Sequence, residues 1–147
     1  MVRIKGVIAP DEHARGKAHT RRTVRFRSIS GRLLELLLQS SAQTHPKEFS
    51  GILSSKTPGV IDDLLLIPGT VSGDRHAIVQ FANVASGRQI VGSVHSHPSP
   101  YPFPSEADLG FFSRIGDVHI IVAHPYTRRS WRAWSSAGEE LTLQVVV

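Results

Sequence analysis

An amphipathic pattern opens the regular part of the chain. Apolar side chains recur at the three- and four-residue spacing of one helix face, namely at Leu33, Leu34, Leu37 and Leu38. Ser30, just before them, is a residue type that caps helix N-termini, and Pro46 after them cannot continue a helix. The pattern therefore predicts a helix from Ser30 to about Thr44.

Short apolar runs, separated by turn residues, fill most of the remaining sequence. They predict strands at Phe49–Ser54, Leu64–Ile67, Ala77–Phe81, Gln89–His97, Val118–Ala123, Trp131–Trp134 and Leu141–Val147. A loop with four prolines follows the fourth of these runs, and a second helix is predicted from about Ser105 to Arg114. Two helices interleaved irregularly with many strands predict an α+β fold, an α/β/α sandwich around one mostly β layer.

The basic charge of the chain is concentrated at its N-terminus. Residues 1–27 hold eight of the 17 lysines and arginines and two of the 12 acidic residues, a balance of +6, whereas residues 28–147 carry a balance of −1. We therefore divide the chain into a basic N-terminal extension, 1–27, with an edge strand predicted at Thr23–Ile29, and a single domain, 28–147. Because nucleic-acid surfaces show lysines and arginines clustered on the folded face, the near-neutral body argues against nucleic acid as a partner.

Some classes of protein are excluded by what the sequence lacks. It has no cysteine, which excludes disulfides, thiolate metal sites and cysteine nucleophiles. No apolar run approaches the roughly 20 residues of a membrane-spanning helix, and the N-terminus has no apolar signal-peptide core. We therefore expect a cytoplasmic protein with no membrane partner.

A pair of histidines and an aspartate carry the candidate chemistry. His95 and His97 lie two residues apart on a predicted strand, so both imidazoles project from one face. Asp108 follows after ten intervening residues, in the first turn of the predicted second helix. Two imidazoles and one carboxylate supply three ligands to a tetrahedral zinc ion and leave its fourth position open for water, as catalytic sites do. Alternatively, the histidines are a packing pair, and Ser105 with Asp108 forms only a helix cap.

The sequence around these residues resembles a known family. The run HSHPSPYPFPSEAD, residues 95–108, is similar to the JAMM motif, which characterises the MPN+ class of the Mov34/PAD-1 fold. The upstream glutamate of that motif corresponds to Glu48, within HPKEFSGIL at residues 45–53. The resemblance extends from about residue 30 to the C-terminus, and the chain looks most like the small stand-alone archaeal JAMM proteins. The resemblance implies a mixed, curved sheet flanked by helices, with zinc as the metal.

The resemblance also implies a role for each residue of the site. His95, His97 and Asp108 would be the Zn²⁺ ligands. Glu48 would act as general base and then as general acid, while Ser105 would cap its helix and donate a hydrogen bond to the developing oxyanion. Without the histidine motif, Glu48 would be interpreted as a solvated residue at a helix end.

Other polar residues near the motif are expected to have structural roles. Ser96 points to the opposite face of the strand from the two histidines and is expected to serve packing. His45, His119 and His124 lie near strands or strand ends. These three are expected in the core or behind the ligands, and not in the metal site itself.

The reaction of the family sets the expected partner and leaves two rival hypotheses. JAMM proteins hydrolyse isopeptide or peptide bonds after a ubiquitin-like C-terminus, so the expected partners are conjugates of a β-grasp modifier ending in Gly-Gly or sulfur-carrier precursors. The sequence is also compatible with a homodimer. The first rival is a non-catalytic MPN-type interaction module. The second is a RadC-like, DNA-repair-associated protein, but that family normally carries an N-terminal helix-hairpin-helix region for which residues 1–27 are too short.

Overall fold

The computed structural model describes residues 25–67, 74–84 and 89–147. Within these ranges the helices are α1 (Gly31–Thr44), α2 (Arg75–Val84) and α3 (Glu106–Phe112). The strands are β1 (Ser28–Ser30), β2 (Ser50–Ser55), β3 (Val60–Ile61), β4 (Asp63–Leu66), β5 (Gln89–His97), β6 (Val118–Ala123), β7 (Trp131–Ser135), β8 (Glu140–Leu141) and β9 (Gln144–Val146). Most of the predicted basic extension lies outside the described residues.

Six strands form the main sheet, in the order β4-β2-β5-β6-β7-β8. Strands β5 and β6 are parallel, and the other neighbouring pairs of this sheet are antiparallel. Helix α1 packs on one face of the sheet, while α2 and α3 pack on the other. The predicted α+β sandwich with a mixed sheet is therefore confirmed.

Helix α1 follows the predicted pattern closely. Ser30 caps it, since the serine hydroxyl oxygen accepts a hydrogen bond from the Leu33 N–H at 3.1 Å. The leucines of its inner face are buried in the same core as Val94 of β5 and Ile120 of β6. No helix within the described ranges has the length and apolar character needed to cross a membrane.

A second, smaller sheet places β1 between β3 and β9, with both pairs parallel. The edge strand predicted at Thr23–Ile29 is therefore wrong: the described strand begins at Ser28 and is the central one, while residues 23 and 24 lie outside the described part. The predicted strand Leu141–Val147 is divided between the two sheets, as β8 and β9. Phe26, which the charge pattern assigns to the extension, is buried in the core. Pairing between distant segments decides these placements, and local patterns do not show it.

The strand predicted at Ala77–Phe81 is also wrong, because these residues lie in helix α2. Asp74 caps this helix, since its carboxylate accepts a hydrogen bond from the N–H three residues later at 3.1 Å. A five-residue run with four apolar residues fits either a strand or a helix, so packing decides between them. Ile78 and Ala82, four residues apart on one helix face, pack on the main sheet around Ile52.

The junction of β5 and β6 tolerates no side chain at Gly92. A Cβ atom there would overlap the backbone carbonyl of Val118, its partner residue on β6. We expect Gly92→Ala to lower the free energy of unfolding by roughly 3 kcal/mol, because the backbone of two central strands would have to separate. Gly110→Ala is the matched control, since nothing lies within 4 Å of a Cβ at that helical position. Urea denaturation should show a gain of about 0.5–1 kcal/mol for Gly110→Ala, and equal stability of the two variants would contradict the close approach.

Candidate metal centre

The three predicted ligands converge at one end of the main sheet. His95 and His97 project from the last residues of β5, and Asp108 lies in the first turn of α3. The Nε2 atoms of the two histidines are 3.1 Å apart. Oδ2 of Asp108 lies 3.3 Å from Nε2 of His95 and 3.6 Å from Nε2 of His97. Three ligand atoms therefore surround one point, and two of the three side chains, those of His95 and Asp108, are almost fully buried.

These separations fit a zinc ion. Bonds of 2.0–2.1 Å in a tetrahedral site place neighbouring ligand atoms about 3.3 Å apart. The three observed distances, 3.1, 3.3 and 3.6 Å, bracket that value. Two imidazoles and a carboxylate are also among the donor types that zinc binds in proteins, and they leave a fourth position for water or substrate.

The ring of His97 is held in the tautomer that a metal requires. Its Nδ1 lies 2.9 Å from the carbonyl oxygen of Tyr101, in the proline-rich loop after β5. A carbonyl accepts hydrogen bonds only, so Nδ1 carries a proton, and in the neutral ring Nε2 is the nitrogen with the lone pair that a metal binds. The proline-rich loop thereby orients a predicted ligand as well as connecting β5 to α3.

Asp108 is a buried carboxylate with several hydrogen-bond partners. The predicted helix cap is confirmed, since Ser105 Oγ accepts from the Asp108 N–H at 3.1 Å and the Ser105 N–H donates to Oδ2 at 3.0 Å. Burial raises the pKa of Asp108, but hydrogen bonds to His95 and His97 outweigh it and hold the pKa well below its usual range. The side chain is therefore an anion, as a metal ligand must be.

Glu48 lies beside the cluster, in the short segment between α1 and β2. The next residue, Phe49, is fixed by two hydrogen bonds to Ser96: its N–H donates to Ser96 Oγ at 2.8 Å, and its carbonyl accepts from the Ser96 N–H at 2.9 Å. Glu48 shares a cavity of about 200 Å³ with His95. Ser96 thus points away from the ligands, as predicted, and it also fastens the backbone that carries Glu48.

The other histidines near the motif stay outside the ligand cluster. His45 Nδ1 lies 2.7 Å from the hydroxyl of Tyr126, and that hydroxyl donates to the His97 carbonyl at 3.4 Å. The backbone N–H of His124 donates to the same carbonyl at 3.2 Å. These contacts support the end of β5, where the two ligands lie.

His119 has a packing role. Its ring is fully buried and stacked on Phe112, with centroids 4.1 Å apart, and its Nδ1 lies 2.8 Å from Ser93 Oγ. Burial lowers the pKa of His119 to about 3, so the ring is neutral.

One residue of the site was missed by sequence reasoning. Arg75, the first residue of α2, donates to Oδ1 of Asp108 with a separation of 2.5 Å. The sequence signal that could have found it is Asp74, a helix-capping residue type directly before it. Interpreting the next residues as a strand concealed that signal.

Known proteins are similar to this chain in sequence and in fold. Residues 30–134 match the family described as prokaryotic homologs of the JAB domain. The chain belongs to that family. A probable metalloprotease of Haloferax volcanii is 39% identical to this JAB-family chain over 127 residues, which cover 80% of this chain and 78% of that protein.

Two solved structures extend the comparison. A JAB1/MPN domain protein from Archaeoglobus fulgidus is 38% identical, with a TM-score of 0.68, over 82% of this chain and 99% of that one. A second structure, described as JAMM, a metalloprotease-like zinc site in the proteasome and signalosome, is 37% identical with a TM-score of 0.66, over 83% and 99% of the two chains. Together with the ligand cluster, these likenesses identify a zinc metalloprotease of the JAMM type.

The ligand assignment predicts the metal content of two histidine variants. We expect about one zinc ion per wild-type chain and close to none in His97→Ala, because two remaining ligands hold zinc weakly. His76, exposed on α2 and outside the cluster, provides the control, and His76→Ala should keep the wild-type content. Elemental analysis after dialysis measures both, and a full complement of zinc in His97→Ala would show that the ligand set is different.

Proposed function

We propose that this chain is a zinc isopeptidase or peptidase that cleaves after the C-terminal Gly-Gly of a ubiquitin-like, β-grasp protein. Its substrates would be conjugates of that protein, linear fusions to it or sulfur-carrier precursors. The observation that carries the proposal is the convergence of His95, His97 and Asp108 next to a cavity that also contains Glu48. A three-ligand site with a neighbouring carboxylate is suited to hydrolysis of an amide bond.

The proposed mechanism assigns a task to each side chain of the site. His95, His97 and Asp108 would hold the metal, which when bound lowers the pKa of water to near 7 and polarises a carbonyl. Glu48 would accept a proton from the attacking water and then deliver that proton to the leaving amine. Its exposed position at the mouth of the cavity leaves the carboxylate accessible to both groups.

Ser105 would stabilise the oxyanion while it caps α3. Accepting the hydrogen bond from the Asp108 N–H occupies a lone pair of Oγ and leaves the hydroxyl proton available to donate. Because Ser105 and Asp108 are joined by two hydrogen bonds, the hydroxyl is fixed relative to the ligand carboxylate. Fixed donors of this kind stabilise a developing oxyanion without reorganisation.

The edge of the main sheet supports binding of an extended tail. β4 lies at that edge, so one side of its backbone has no strand partner among the described residues. Ile67, directly after β4, lines the cavity that contains His95. A tail paired with β4 would therefore run towards the metal centre, with main-chain hydrogen bonds for affinity. Residues without a Cβ would enter most easily between the cavity and the loop Pro98–Pro104, which favours Gly-Gly.

The role of Glu48 predicts a separation of turnover from metal binding. Glu48→Gln should keep the fold and the zinc but reduce kcat by about 10³–10⁴-fold, because an amide cannot accept the proton from water. Ser105→Ala should be milder, at about 10²-fold, since it removes one oxyanion donor. Glu35→Gln is the control, because Glu35 pairs with Arg128 on the surface, outside the cavity. A wild-type rate for Glu48→Gln would show that Glu48 has no part in the mechanism. If the wild-type protein binds zinc but cleaves no substrate, the non-catalytic interaction-module hypothesis is favoured instead.

The proposed path of the tail beside the loop Pro98–Pro104 predicts selectivity for glycine. In a linear fusion of a β-grasp protein to a reporter, replacing either glycine of the terminal Gly-Gly by valine should lower kcat/KM at least about tenfold, the equivalent of 1.4 kcal/mol. The unchanged Gly-Gly fusion is the control. Equal cleavage of the Gly-Val and Gly-Gly fusions would indicate a general peptidase with a wider groove.

A further inference from the structure

One terminal nitrogen of the Arg75 guanidinium makes a strong hydrogen bond, and the other has no hydrogen-bond partner. Its NH2 group donates to Oδ1 of Asp108 at 2.5 Å. Its Cζ atom lies over the ring of Phe111, 5.4 Å from the ring centroid. The other terminal nitrogen, NH1, is buried and has no hydrogen-bond partner. Buried polar groups are nearly always paired, so this donor requires an explanation.

The backbone at Arg75 is fixed, which makes these contacts specific. Arg75 is the first residue of α2, directly after the capping residue Asp74. One turn further on, Ile78 packs against the main sheet. The start of α2 and the ring of Phe111 therefore hold the guanidinium beside Asp108.

The two oxygens of Asp108 have different partners. Oδ2 faces His95 and His97, where a metal would bind, and accepts the hydrogen bond from the Ser105 N–H, whereas Oδ1 faces Arg75. The guanidinium on Oδ1 and the Ser105 N–H on Oδ2 together fix the rotation of the carboxylate, with Oδ2 directed towards the two histidines. Partners of this type commonly change metal affinity 10–100-fold when they are removed.

The unpaired nitrogen belongs to a residue that lines the cavity beside the metal centre. Arg75 shares this cavity with Glu48, Ser93 and His95. NH1 has almost no accessible surface, although the Arg75 side chain as a whole is 41% exposed, so the guanidinium must turn towards the cavity for NH1 to reach an acceptor that enters with a substrate. A Gly-Gly tail has no side-chain acceptor, so the available acceptors are its main-chain carbonyl oxygens.

We propose that Arg75 bridges the metal ligand and the substrate: NH2 holds Oδ1 of Asp108, and NH1 binds a main-chain carbonyl oxygen of the substrate tail. The substrate half of this bridge rests on the proposed function, whereas the ligand half does not. Arg75 is thus a positioning residue for the metal and a binding residue for the peptide.

Two substitutions separate the two halves of the bridge. Arg75→Gln removes the cation from Asp108, whereas Arg75→Lys keeps a cation but offers one ammonium group in place of two directed nitrogens. Arg114→Gln is the matched control, because Arg114, just after the end of α3, also contacts α2, through His76 at 3.4 Å, without contacting Asp108. Thermal unfolding of the zinc-free proteins identifies any variant that is merely less stable.

The first measurement is zinc affinity by chelator competition, which needs no substrate. We expect the zinc Kd of Arg75→Gln to rise 10–100-fold, and those of Arg75→Lys and Arg114→Gln to stay within about threefold of wild type. A zinc Kd for Arg75→Gln equal to that of Arg114→Gln would overturn the bridge, because Asp108 would then be oriented without Arg75.

The second measurement uses a linear fusion of a β-grasp protein ending in Gly-Gly, with all proteins saturated with zinc. We expect KM for Arg75→Lys to rise about tenfold with kcat within about threefold, since the lost contact is made on binding. An unchanged KM would overturn the bridge and indicate that water satisfies NH1. A wild-type protein that neither binds nor cleaves the fusion would overturn the proposed function and the substrate half together, whereas failure of the zinc result alone would leave the proposed function standing.

Discussion

The burial of one negative charge organises the site. Asp108 is 3% exposed, and an isolated carboxylate at such a position would be strongly destabilising. Three parts of the chain stabilise the Asp108 carboxylate with hydrogen bonds or ion pairs: the cap of α3, the end of β5 and the start of α2. Removing any one of these elements would leave the charge short of partners. The requirement to satisfy Asp108 therefore fixes the relative positions of the elements that form the metal centre.

Side chains of β5 alternate between the hydrophobic core on one face of the sheet and the metal centre on the other. His95 and His97 face α3, while Val94 and Ser96 face the other side of the sheet. Residues 92–97 of β5, beyond the irregularity at Val91, alternate strictly. The pairing of Ser50 with His95 that positions the two histidines therefore also directs Ser96 towards the backbone of Phe49. A shift of register by one residue would lose the ligands and the anchor of the Glu48 segment together.

The features that were predicted correctly depend on short stretches of sequence. The limits of β5 and β6 were predicted correctly, and so were the caps at Ser30 and Ser105, because alternation, helical spacing and capping act within a few residues. The JAMM resemblance then pointed to His95, His97 and Asp108 before any geometry was known. These assignments depend on spacing alone.

The features that were missed depend on contacts between distant segments. β1 is central in its sheet because β3 and β9, about 30 and 115 residues further along the chain, both pair with it. The run Ala77–Phe81 is helical because Asp74 caps it and Ile78 finds a place on the sheet. Arg75 could be recognised only after that helix was placed, since its partner lies 33 residues away.

The position of α2 gives the core a direct influence on the metal ligand. Ile78 and Ala82 lie one turn and two turns after Arg75 in α2, and both pack around Ile52 of β2. The packing of this helix on the sheet therefore sets the position of the guanidinium relative to Asp108. Interiors are packed too closely to absorb a change of volume without a shift. A smaller side chain at Ile78 would let α2 settle towards the sheet and move Arg75 relative to Oδ1, although Ile78 is not a ligand. Stability and metal affinity in this protein are therefore linked through α2, and a loss of zinc in a core variant does not by itself identify a ligand.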